Sequence, residues 1–176
     1  MRFAYYDRLS RANKEIYRKS DAIETLGLPR GLELGPIVRG VEAALRADDR
    51  AAVQRECTRL IDSLASGYRV PGVTVRVLAK RPADGYGELH GLYEPAERGA
   101  PARITVWMRT AQRKQVVAFR TFLRTLIHEL CHHLDYELFS LEETFHTEGF
   151  YKRESTLVNA LLAQPPHVSA VPDSGV

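Results

Sequence analysis

Two cysteines, two methionines and one tryptophan are all that this chain of 176 residues holds of those types. With Cys57 and Cys131 alone, a disulfide framework is not expected and a four-cysteine zinc ribbon is excluded. Apolar runs are short too. None approaches the ~20 residues of a membrane helix, so no membrane partner is expected. The opening residues, Met1 to Asp7, contain no apolar stretch of the kind a secretory leader needs, and the expected compartment is the cytoplasm. Excess charge of one sign is also scarce. A balance of 25 Lys and Arg against 22 Asp and Glu leaves a net +3, which supports a nucleic-acid partner only weakly. The local basic clusters, Arg8, Arg11, Lys14 and Arg18, then Arg109, Arg113 and Lys114, read more simply as solvated faces.

What remains is ordinary for a globular chain, with 44% hydrophobic and 27% charged residues, and the length suffices for one buried core. Residues 7–26 read as an amphipathic helix with Asp7 as its N-cap and Leu9, Ile16, Ile23 and Leu26 among its apolar positions. A second helix is expected over 36–47, with Pro36 in its first turn. A third is expected over 49–66, closed by Gly67. Composition then changes. Residues 73–78, 88–93 and 103–108 read as strands separated by a turn at 83–87 and a loop at 95–101. Such short links favour an antiparallel meander. Helix returns over 115–139, a capping box at Ser140–Glu143 predicts a new short helix, and a last helix is expected over 150–162. The expected organisation is an N-terminal helical region at 1–68, a core at 69–163 and a flexible tail at 164–176. Segregated helices and strands make the class α+β.

One stretch carries chemistry. Thr125-Leu126-Ile127-His128-Glu129-Leu130-Cys131-His132 contains His-Glu-x-x-His inside the predicted helix. Four residues are just over one turn, so His128 and His132 stack on one face, about 6 Å apart along the axis. Two imidazoles at that spacing can hold one metal ion, and zinc suits them. Glu129 flanks the same face and can serve as a general base without ligating. Phe119, Phe122, Leu123, Leu126, Ile127, Leu130 and Leu134 fall on the far side, a dry face against a core. Cys131, off the ligand strip, reads as a buried thiol. His133 points away, and Trp107 reads as a sheet core residue. His90 and His167 have no partner pattern.

A catalytic zinc usually takes three protein ligands and leaves a position open. His146 is the favoured third ligand, with Glu148 and Glu154 as alternatives. Asp135 sits too far along the helix and reads as a solvated aspartate. For the oxyanion, Tyr136, Tyr151 and Arg153 are close in sequence, but core tyrosines and a surface arginine are the simpler reading, and that role stays unassigned.

His128-Glu129-Leu130-Cys131-His132, followed after thirteen residues by His146-Thr147-Glu148-Gly149-Phe150, resembles the SprT-like and WLM families of zincin metallopeptidases. They pair a His-Glu-x-x-His helix with a third histidine and an aromatic four residues on, here Phe150. The resemblance covers roughly residues 70–160. It implies a zincin-like core of about three strands packed on the motif helix. It further implies zinc held by His128, His132 and His146, Glu129 as general base, and a peptide or protein substrate. Thr147 stands where many members carry glycine, and DNA-linked roles of ribbon-bearing relatives are not carried over. The competing expectation is a catalytically silent zincin-shaped regulatory or binding protein. Retention of Glu129 favours the peptidase, since metal binding alone needs no base.

Overall fold

A computed structural model describes residues 3–84, 87–111 and 114–165. Gly85 and Tyr86 of the expected turn, Arg113 of the second basic cluster, His167 and most of the expected tail lie outside them. Among the described residues the fold is mixed α+β, with five α-helices and a three-stranded sheet. The helices are α1 (Arg11–Ala22), α2 (Gly35–Arg46), α3 (Arg50–Tyr68), α4 (Phe119–Glu137) and α5 (Glu148–Leu162). The strands of the sheet are β1 (Thr74–Lys80), β4 (Gly91–Glu94) and β5 (Arg103–Arg109). The short β2 (Ala83–Asp84) and β3 (Gly87–Glu88) pair with each other, antiparallel.

The sheet is not the expected meander. Its order is β1-β5-β4, with β1 parallel to β5 and β4 antiparallel to β5. The chain leaves β1, makes an excursion through residues 81–102 and returns beside its own starting end, which is what a parallel pair requires. The reason lies in β5. Ile104 to Met108 are five consecutive buried residues, a pattern for a strand covered on both faces. The alternating β1 and the half-exposed β4 take the edges.

Helix ends also differ in instructive ways. Ser10, not Asp7, caps α1, its side chain accepting from the Asn13 N–H. Asp7 sits in a single 3-10 turn, Tyr6–Arg8. The third helix runs through Gly67 to Tyr68, and the left-handed residue is Arg69 at φ 59°. Arg69 and Val70 bond back to Ser66 and Ala65, the closure known as a Schellman motif, so Gly67 lies two positions too early to be its reversing residue. No helix starts at Ser140. That residue has φ +52°, whereas an N-cap needs extended backbone. It instead reverses the chain after α4, and the Leu141 N–H bonds to the Asp135 carbonyl. The true cap of α5 is Thr147, whose side chain accepts from the Phe150 N–H.

Helices α2, α3, α4 and α5 and the inner faces of the strands share one continuous apolar cluster, from Leu26 to Leu161. Trp107 is buried as expected, and no described helix is long and apolar enough to cross a membrane.

Candidate metal centre

Helix α4 buries Phe122, Leu123, Leu126, Ile127, Leu130, Cys131 and Leu134, as their spacing predicts. That stripe fixes the rotation of the helix and aims His128, Glu129 and His132 into a cleft of about 730 Å³. Across the cleft lies β4, so the edge strand of the sheet forms one wall, with Leu89, Gly91, Leu92 and Tyr93 among its lining residues. The third histidine, His146, comes from the segment between α4 and α5.

The three Nε2 atoms form a near-equilateral triangle. His128 lies 2.9 Å from His146 and 3.2 Å from His132, and His146 and His132 are 3.1 Å apart. Among the described residues, these are the one group of His, Cys, Asp or Glu side chains arranged to hold a metal ion. Beneath them the buried ring of Phe150 lies 4.7 to 5.3 Å from each imidazole, so the floor of the site is apolar.

The outer nitrogens decide what those Nε2 atoms present. His128 Nδ1 lies 2.8 Å from Glu154 Oε2. A carboxylate only accepts, so Nδ1 donates, and in the neutral tautomer Nε2 holds a lone pair. Thr144 Oγ1 donates its single proton to Asp135 Oδ2 at 2.7 Å and therefore accepts from His132 Nδ1, also at 2.7 Å. His132 Nε2 is then a lone pair too. Two lone pairs 3.2 Å apart repel, and a cation between them removes the conflict.

Electrostatics point the same way. Burial, then the neighbouring His128 and His146, pushes the His132 pKa down to about 2, and burial lowers that of His146. Neutral imidazoles are the form a metal requires. Burial pushes Glu129 up to about 7 against the downward pull of His128, which suits a residue that must both take and give a proton near neutrality. Gly91 of β4 makes room for it: a Cβ there would lie 2.8 Å from Glu129 Cγ and Cδ.

Several residues sit elsewhere than expected. Asp135 is fully buried rather than solvated, and pairs at 2.6 Å with Arg153, also fully buried rather than on the surface. Burial raises the Asp135 pKa, opposed by the Arg153 guanidinium and the Thr144 hydroxyl. Arg153 further donates to the Ser20 and Ile23 carbonyls at the end of α1, so it is not available to an oxyanion. Tyr136 and Tyr151 line the cleft instead of entering the core, and so does the exposed His90. His133 points away as expected, bonding the Pro71 carbonyl and the Tyr93 hydroxyl. Of the alternative third ligands, Glu148 pairs with Lys152 on the surface, while Glu154 holds His128 and Arg124. Neither joins the triangle. Glu154, Thr144, Tyr93 and Gly91 all shape the centre, and sequence reasoning gave none of them that part. For Glu154 a signal existed: with Phe150 and Leu157 it falls on the inner face of α5.

Zinc fits this donor set. Tetrahedral coordination at Zn–N of about 2.0–2.1 Å separates nitrogens by roughly 3.3–3.4 Å, a few tenths more than the spacings here. The cleft side is left for a fourth ligand. Comparison with protein-family models, with curated proteins and with solved structures returned no match.

Proposed function

We propose that this chain is a zinc-dependent peptidase of zincin type, related to the SprT-like and WLM families its motifs resemble. One observation carries the reading: three imidazoles converge on one point, beside a buried carboxylate, at the base of an open cleft. Zinc held there supplies Lewis acidity and a nucleophile at neutral pH. His128, His132 and His146 hold it, with Glu154 and the Asp135–Thr144 pair orienting the first two. Glu129 takes the proton from the attacking water and returns it to the leaving nitrogen. Edge strand β4 offers backbone groups to an extended peptide, which is the substrate form strand addition favours. Exposed Leu89, Leu92 and Tyr151 give that peptide apolar contacts.

A nucleic-acid role draws less support. Lys14 and Arg18 spend contacts on Asp7 and Tyr6, Arg109 pairs with Asp48, and none of the three lines the cleft. Both cysteines are buried and unpaired, which suits a reducing compartment, and we assign the cytoplasm. The test pairs metal analysis of protein purified without chelators with Glu129→Gln. The variant should hold zinc like the wild type and lose turnover by ~10²-fold or more. Undiminished turnover in zinc-loaded Glu129→Gln refutes the mechanism.

A further inference from the structure

Two corners of the histidine triangle stand on a rigid helix, but the third does not. His146 lies in a stretch with no regular structure, between the end of α4 at Glu137 and the start of α5 at Glu148. Something else must fix its main chain. One side chain reaches it from 141 positions away: the Tyr5 hydroxyl donates to the His146 carbonyl at 2.8 Å.

Tyr5 is itself seated. Its ring meets Tyr17 edge-on at 6.0 Å and stacks with Phe3 at 6.2 Å, and Phe3 touches Tyr151 at 6.0 Å. Further along, Asp21 Oδ1 accepts from the Gly149 N–H at 2.9 Å, and the Asp21 main chain fills the space a Cβ at Gly149 would need. Lys152 pairs with Glu24, and Arg153 donates to Ser20 and Ile23. Residues 3–24 therefore grip the run from His146 to Arg153, where the third ligand and the helix behind it begin.

We propose that Tyr5 is a positioning residue for the metal centre: with residues 3–8 docked, its hydroxyl sets the His146 main chain, so that the third imidazole is in place before an ion arrives. The proposal rests on the metal-centre reading above. The physics is preorganisation. A loop ligand that is free to wander must be ordered when the metal binds, and that entropic cost weakens affinity. A hydrogen bond already made to its carbonyl removes part of the cost.

The test uses the full chain with Tyr5→Phe, which keeps the ring and removes only the donor. Tyr68→Phe is the matched control, because the Tyr68 hydroxyl also donates to a main-chain carbonyl, that of Gly27 at 2.9 Å, away from the cleft. Zinc affinity is measured by competition with a chromophoric chelator, and the cobalt(II) form is examined by its visible d–d bands. Tyr5→Phe should bind zinc about fivefold more weakly, the equivalent of one net hydrogen bond, with altered cobalt bands. Tyr68→Phe should match the wild type in both. Unchanged zinc affinity and cobalt bands in Tyr5→Phe overturn the proposal, and so do equal losses in both variants. A wild-type chain that takes up no zinc overturns the metal-centre reading itself, a separate and visible outcome.

Discussion

Gly91→Ala isolates the placement of the base from its chemistry. The new Cβ would lie 2.8 Å from both Cγ and Cδ of Glu129 and would overlap Oε1. Carbon atoms rest at about 3.5–4.0 Å, so the carboxylate must retreat by roughly 1 Å. Gly91 is not among the residues with positive φ, so alanine suits the backbone and should recover about 0.4–1 kcal/mol of chain entropy. Forcing Glu129 off its rotamer costs about 0.5–1.5 kcal/mol. These nearly cancel. Stability should therefore move by less than about 1 kcal/mol, a Tm change of roughly 2–4 °C at most. Catalysis has no such compensation. Displacing a catalytic group by about 1 Å is worth roughly 10²-fold in rate, so kcat should fall about that far with zinc content unchanged. The assay is turnover of the peptide that the wild type cleaves best in a mixed library, with metal content and thermal melting run in parallel. A zinc-loaded Gly91→Ala protein whose kcat stays within about threefold of the wild type shows that Gly91 does not set the position of the base.

Three further outcomes follow from the same geometry. Arg153→Met leaves Asp135 in the core without its counter-ion, with the Thr144 hydroxyl still donating to it, which should cost about 3–5 kcal/mol in chemical denaturation; a loss below about 1 kcal/mol would contradict the buried pair. Glu154→Gln removes the anion that orients His128, and zinc affinity should drop about 10–100-fold, whereas unchanged affinity in a chelator titration would show that Glu154 plays no such part. In the metal-stripped chain, burial raises Glu129 from 4.5 to about 7. Its ionised form thus opposes folding fully above pH ~7 and not at all below pH ~4.5. Metal-stripped Glu129→Gln should then melt higher than the wild type at pH 8, with the gap narrowing as pH falls to 4.5; a gap independent of pH contradicts the raised pKa.

The motif helix was legible because one signal repeats along it. Seven apolar residues at helical spacing fix which side is dry, and the two histidines and Glu129 fall on the other. His146 could be named but not located, since the loop that carries it is built from distant partners. Tyr5, Asp135 and Thr144 hold it or its neighbours, and no local pattern links residue 5 to residue 146. Asp135 and Arg153 differ from their expected surface positions for the same reason. Each reads as a surface charge until the other is seen 2.6 Å away. The β1–β5 pairing is a different case. Ile104 to Met108 are buried without a break, as in a central strand, but Thr105 interrupts the apolar run in the sequence, and short links between neighbours favour a meander. At Ser140 the S-x-x-E pattern is present but forms no cap, because a capping box needs extended backbone and the chain there turns left-handed.

The grip of α1 on α5 has a bearing on synthesis. Translation proceeds from Tyr5 toward Arg153, so a growing polypeptide displays His128 and His132 while Arg153, the counter-ion that Asp135 requires, is still unmade. Such a half-finished product leaves Asp135 without its counter-ion and the end of α1 without the Arg153 guanidinium. The contacts that support the metal centre are therefore complete only once α5 has been made and has met α1.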